Sequence, residues 1–314
     1  MKFIKVLKKL KMSSQKSKRT TVAVHNGDFH PDDVTAVAIL SLYLNRPLNI
    51  VRTRDPKILA EIDYVFDVGG EYKPNKNKYD HHQQSFNLKR KNGVAYSSAG
   101  LAWKHFGEKI VGSREVWQKI DEKILQPLDA EDSGIELCES YFKNIAEYTF
   151  TDYLHALNNT WKEKTRSSLH AFEQAVADAK KMLEREIKRS QDNKLGEKNI
   201  KNIYKKTADK RIIVLDANYS WKKVLDNFPE PLFAIFPDFE NNTWHATAVH
   251  VKGFKFKYRL NYPKNWAGKT GKELVEITGV PDAVFCHKHR FIAVAKSKGG
   301  AIALAKLALS SQKL

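Results

Sequence analysis

Cysteine is nearly absent from this 314-residue chain, which contains only Cys138 and Cys286. That scarcity excludes a disulfide framework and a thiolate zinc cluster, and it makes a reducing interior compartment the expected home. Long apolar runs are also missing. No stretch approaches the ~18 apolar residues that a spanning helix needs, so no membrane partner is expected. Acids are in deficit, with 36 Asp+Glu against 54 Lys+Arg and a net charge of +18 at pH 7. Such an excess suits a polyanionic substrate gripped by Lys and Arg, with general basicity or solubility as the plain alternative. What remains is an ordinary globular balance, 42% hydrophobic and 29% charged, long enough for two domains with cores of their own.

Residues 1–20 form a basic N-terminal extension carrying eight Lys or Arg and no acid. Its apolar residues are too few for a secretory signal. It reads as a disordered arm, with nucleic-acid binding or organelle targeting as alternatives. A cytoplasmic protein is expected, and a nuclear or mitochondrial one stays open if the source is eukaryotic.

Thr21–Val24, Asn49–Arg52 and Tyr64–Phe66 read as strands, and Val34–Leu44 as a helix begun by the acids Asp32 and Asp33. Strand, helix and strand at this spacing make a βαβ unit on a parallel sheet, where ligands gather beyond the carboxyl ends of strands. Helices are expected to about His105, over about Arg114–Leu125 and Ile135–Ala156, and as a long amphipathic helix at Thr165–Lys188. The stripe of that last helix fits packing or a homodimer contact. The polar stretch 189–210 reads as the domain link. Beyond it, strands are expected at Arg211–Leu215, Leu232–Phe236, Thr243–Val251, Phe254–Leu260, Ala283–Cys286 and Phe291–Ala295, with helices at about Lys272–Thr278 and Gly300–Leu309. The domain plan is therefore a catalytic α/β domain over 21–160, a linker helix and basic connector over 161–210, and a smaller α+β domain over 211–314.

Three packets of His and Asp stand at strand ends within the first 82 residues. They are His25-Asn26-Gly27-Asp28-Phe29-His30-Pro31-Asp32-Asp33, Asp67-Val68-Gly69-Gly70 and Asp80-His81-His82. Imidazole mixed with carboxylate suits Mn²⁺, Zn²⁺ or Fe²⁺, whereas mostly-oxygen sets suit Mg²⁺. Each residue alone has a plainer reading: Asp32 could cap its helix, and Asp67 before two glycines could form a turn.

Taken in order, these blocks resemble the DHH phosphoesterase superfamily and, within it, the Myg exonuclease family. Arg52-Thr53-Arg54-Asp55, Ser97-Ser98-Ala99-Gly100-Leu101 and His105-Phe106-Gly107 extend the match, as do Arg259-Leu260, Trp266, Gly279, Phe285 and His287. The match covers about 21 to 310. Departures are Asp33 where the family usually has Glu, Asp132-Ser133-Gly134 in its Asp-Asn-Gly block, and Asn261–Lys264.

The resemblance implies a parallel-sheet DHH-type domain and two divalent metals, Mn²⁺ expected and Mg²⁺ the alternative. Their ligands would be His25, His30, Asp32, Asp67 (shared), His81 and Asp132, although Asp129 competes with Asp132 for the last place. Asp80 and His82 become groups that orient an imidazole or face the substrate. Substrate contacts are expected from Arg52, Arg54, Arg259, Trp266 and His287, and from Lys298 and Gly299 at a helix start. Trp266 could instead be core, and the arginines could be structural. The expected activity is 3′→5′ hydrolysis of RNA or an oligonucleotide. A small-molecule phosphohydrolase and a non-catalytic RNA-binding factor are the rival readings.

Overall fold

In a computed structural model, residues 19–254 and 256–311 are described. The basic extension therefore lies almost wholly outside the described residues. The chain is mixed α/β and divides into two compact units between Ser190 and Gln191.

In the first unit, strands β1 (Thr20–Val24), β2 (Leu48–Arg52), β3 (Tyr64–Phe66), β4 (Tyr72–Lys73) and β5 (Lys78–Tyr79) form one sheet in the order β2-β1-β3-β5-β4. All neighbours are parallel except the edge pair β4–β5. The first crossover is helix α1 (Pro31–Leu44), whose first ten residues are all buried. Pro31 presets its first turn, and Asp33 accepts the His30 backbone N–H at 3.1 Å. Helix α2 (Ser98–Ala102) continues into a π-turn over Trp103–Gly107. Helix α3 (Gln126–Asp132) and helix α4 (Phe150–Ala156) complete the surround of the site. Val24, Phe29, Ile39, Leu101, Trp103 and Phe172 are among the apolar residues that fill the core.

Residues 135–149, expected to be helical, are not. Gly134 (φ 75°) and Asn144 (φ 63°) adopt left-handed backbone, and Ser140 Oγ donates to the Phe142 carbonyl at 2.7 Å. A local side-chain bond of this kind competes with the helical ladder.

The long helix α5 runs Ser168–Lys206, much further than the expected Lys188. Residues 189–206 contain no proline, and the Glu197–Lys201 ion pair has helical i,i+4 spacing. Ile200 is buried beside Ile213, Leu215 and Trp221, so tertiary packing holds a stretch that lacks apolar periodicity. Among the described residues no helix is long and apolar enough to cross a membrane.

The second unit has a mixed sheet ordered β6-β7-β8-β10-β9: β6 (Ile212–Val214), β7 (Phe233–Asp238), β8 (Thr243–Ala248), β9 (Ala283–Cys286) and β10 (Ile292–Ala295). Only β6–β7 is parallel. Helices α6 (Gly271–Thr278) and α7 (Lys298–Ser310) accompany it. The strand expected at Phe254–Leu260 is reduced to one bridge, His250 with Tyr258.

Candidate metal centre

Three adjacent parallel strands end at the same edge. His25 follows β1, Asp67 follows β3, and Asp80-His81-His82 follow β5. β1 and β3 are direct neighbours, as are β3 and β5, so the sheet places Asp67 between the two imidazole sources. Asp67 itself has φ 58°, a left-handed backbone uncommon for a side chain other than Gly or Asn. Two flanking groups fix it: the Tyr79 carbonyl accepts its N–H (3.3 Å), and Ser98 Oγ donates to its Oδ1 (3.3 Å).

Three groups of side chains could each hold a cation: His25, His30 and Asp67; Asp67, His81 and His82; and Asp32, His81 and Asp132. Asp67 belongs to two of them and His81 to two. Every ligand expected from the sequence is therefore drawn into one connected constellation. Of the two late carboxylates, Asp132 reaches this constellation, its Oδ2 lying 3.6 Å from His81 Nε2.

Asp129 has a different task. Its carboxylate accepts Ser97 Oγ (2.6 Å), Gly100 N (3.1 Å) and Arg90 Nη1 (2.6 Å). A Cβ on Gly100 would fall 1.9 Å from Asp129 Oδ2, so only glycine permits that approach. The Ser97–Gly100 block thus anchors α3 and through it positions Asp132. Burial pushes Asp129 up to about 6 despite the facing Arg90 guanidinium.

The donor set fits divalent cations. His25 Nδ1–H donates to the Asn26 carbonyl at 3.1 Å, which in the neutral ring leaves Nε2 as a lone pair. That lone pair faces Asp33 Oδ2 at 3.2 Å and Asp67 Oδ2 at 3.4 Å. His25 Nε2, Asp33 Oδ2 and both carboxylate oxygens of Asp32 are buried without a hydrogen-bond partner. Buried acceptors aimed at one another are unfavourable unless positive charge lies among them.

The titration behaviour has the same origin. Burial raises Asp32 well above the usual carboxylate range and pushes Asp33 up to about 8 and Asp132 up to about 7. The Asp67 carboxylate facing Nε2 raises His25, whereas burial lowers His30 and His81.

Asp80 and His82 form a supporting pair. Although burial opposes it, His82 Nδ1 (2.8 Å) and the backbone N–H groups of Gly70 (2.6 Å) and His82 (3.1 Å) hold Asp80 down to about 2. Asp80 in turn raises His82, whose side chain is 61% exposed and has access to solvent.

A cleft of about 420 Å³ opens on this edge, lined by His30, Asp32, Glu131, Asp132, Thr151 and His155 among others. The His155 ring lies 6.1 Å from that of His30. Sequence reasoning does not single out Asp33 or His155 as site residues. Along the chain Asp33 stands out as a helix-start acid and as a departure from the family's Glu, and nothing in the spacing of His155 connects it to residue 30.

Several expected substrate contacts are engaged elsewhere. Arg52 donates to the Gly27 carbonyl at 2.7 Å and lies against the Phe29 and Phe172 rings, so it staples the first loop. Exposed Arg54 bonds the Asn26 side chain at 2.7 Å. In the second unit, Arg259 donates to the carbonyls of Asp226, Phe228, Pro231 and His250 and is a structural clamp. Trp266 is 4% exposed and stacks on Tyr262 within the core, which leaves no face for a base. At Lys298-Gly299 the helix start already meets an acid: Asp282 Oδ2 accepts the Ser297 N–H at 2.7 Å, and a Cβ on Gly300 would lie 2.1 Å from Asp282 Oδ1. A phosphate there would face a carboxylate. His287 is half-buried in a cluster of rings.

Comparison with known proteins places the chain in a family. The family model for MYG1 exonucleases, described as an uncharacterised protein family (UPF0160), matches residues 21–309. The chain is 30% identical to the MYG1 exonuclease of Mus musculus, over 93% of this chain and 85% of that protein. It is 29% identical to a MYG1 protein of Schizosaccharomyces pombe (92% and 97%) and 29% identical to one of Chlamydia trachomatis (94% and 98%). The chain belongs to the MYG1 exonuclease family.

Proposed function

We propose that the protein is a metal-dependent phosphodiesterase of DHH type, a 3′→5′ exonuclease that hydrolyses RNA with water as nucleophile. One observation carries the reading: buried Asp67 is common to two cation-holding groups whose neighbouring acceptors lack partners. His25, His30 and Asp67 would hold one ion, and Asp67, His81, Asp32 and Asp132 the other. Mn²⁺ is favoured by the imidazole content, with Mg²⁺ as the alternative. When bound, two such cations activate water and neutralise charge at a reacting phosphate.

The chain's own groups do the rest. The Asn26 carbonyl orients the His25 ring by accepting its Nδ1–H at 3.1 Å, and Asp33 Oδ2, 3.2 Å from Nε2, adds negative charge beside the cation that His25 would hold. Asp80 fixes His82, whose exposed imidazolium can donate to a phosphate oxygen or protonate the leaving oxygen. The exonuclease named among the relatives supports the choice of nucleic acid, and the basic surplus supports a polymer over pyrophosphate.

The test is 5′-labelled RNA incubated with Mn²⁺. Stepwise shortening by wild type, lost in Asp67→Asn with the fold retained, is expected. RNA bound by both proteins and cut by neither would sink the reading in favour of a binding factor. Phosphate released only from pyrophosphate would favour the small-molecule enzyme.

A further inference from the structure

We infer that the second unit carries a single-stranded RNA platform made by the loop 250–258 and the β9–β10 turn. Five rings follow one another across these two segments: His250, Tyr258, Phe291, His287 and His289. Successive centroids lie 4.7, 5.3, 4.5 and 5.2 Å apart, and Tyr258 and Phe291 are parallel within 7°. The first four rings are half-buried and His289 is exposed, so the strip has a packed base and an accessible margin.

The loop that carries Tyr258 adds two more rings. The His250–Tyr258 bridge closes it, as does a bond from Val251 N to the Lys257 carbonyl (2.8 Å), and Gly253 turns it at φ 85°. At its tip Phe254 is 57% exposed and Phe256 81%. A single exposed apolar residue is ordinary, but two on one short loop beside a ring strip form a patch.

Charge selects the occupant. The segments 249–269 and 283–300 contain no Asp or Glu, while Lys252, Lys257 and Lys288 are exposed. The Lys257 ammonium lies 5.3 Å from the Phe254 ring. Cations interleaved with aromatic faces are what a single strand needs, phosphates meeting ammonium groups and bases stacking on rings. An apolar protein partner would have no use for the lysines, and a duplex offers no free base faces.

The inference rests on the exonuclease reading for its choice of RNA, and its test is independent of cleavage. Binding of labelled oligouridylate is followed by fluorescence anisotropy in EDTA. Phe254→Ala/Phe256→Ala is expected to bind about tenfold more weakly or worse, at stacking energies of roughly 1–3 kcal/mol per base. Phe254→Trp/Phe256→Trp should restore affinity, and thermal melting checks that both fold. Lys252→Gln/Lys257→Gln should flatten the salt dependence by roughly 0.7 in log–log slope for each phosphate that is no longer neutralised.

Wild-type affinity in the alanine variant overturns the inference and leaves the loop to a protein partner. So does a wild-type protein that binds no RNA. If wild type binds through these rings but never cuts, the platform stands and the exonuclease reading falls. If it cuts while the variants bind like wild type, only the platform falls.

Discussion

The two units use their polar residues in opposite ways. The first buries His25, Asp32, Asp33, Asp67, Asp80, Asp121 and Asp129, almost all at the carboxyl edge of a parallel sheet. The second buries almost no ionisable side chain among its described residues; it packs Phe233, Tyr262, Trp266 and Leu304 instead and keeps its cations outside. A buried charge is tolerated only when paired or metal-bound, so the polar edge of the first unit calls for partners or cations that the second unit does not need. The unpartnered buried acceptors at that edge should cost the metal-free protein stability, a strain we assign to function.

That contrast can be broken experimentally. The largest expected effect is at Asp67: Asp67→Asn should drop Mn²⁺-dependent RNA shortening to background, because both cation groups lose a ligand. The same substitution should leave the metal-free protein as stable as wild type or more so, since it removes a negative charge from among Asp32, Asp33 and Asp132. A loss of melting temperature in EDTA would contradict the assignment of strain to function.

The mirror case is Trp266→Ala. Emptying that core position should cost about 3–5 kcal/mol in urea unfolding of the second unit. Metal binding, measured by Mn²⁺ titration below the unfolding midpoint, should persist. If Trp266→Ala instead weakens RNA affinity with unchanged stability, its place in the core is wrong.

Asp80→Asn should reduce turnover by about 10–100-fold, the usual scale for a group that orients a ligand or an acid. It should also move the alkaline limb of the pH–rate profile to lower pH, because the protonated His82 then loses the partner that raises it.

The smallest effect is on stability against pH. In the folded metal-free protein Asp33 and Asp132 keep their protons to about 8 and about 7, whereas the unfolded chain releases them near the ordinary value of 3.8. The folded form therefore binds more protons across that window, and stability falls as pH rises through it. Melting in EDTA should drop by several degrees between about pH 5 and pH 8, and Mn²⁺ should reverse the trend. A melting temperature that rises with pH in EDTA would refute it.

Three strands of the first sheet were legible from short β-rich runs, of which Thr21–Val24 leads into His25 and Tyr64–Phe66 into Asp67. Local chemistry alone did not separate Asp129 from Asp132, which lie three residues apart on one helix. Gly100 makes the choice by letting α2 approach Asp129. The apolar residues Ile135, Leu137, Phe142 and Ile145 imitate a helix by spacing, yet all are exposed, because local turns removed the ladder first. Trp266 had the right chemistry for a substrate but no free surface, and Arg259 spends its guanidinium on backbone carbonyls; neither burial nor pairing is written in residue type.

By itself the sequence determined the parallel βαβ start and the packets of His and Asp at strand ends, and the six candidate ligand residues followed from its resemblance to a family. Periodicity and strand-end position are local properties, readable along the chain. Tertiary structure decided that Asp67 stands in two candidate cation-holding groups, that Asp33 and His155 lie beside them, and that the basic aromatic loop continues a ring strip. Those outcomes depend on which strands are neighbours and which faces remain open, and only packing in three dimensions fixes either.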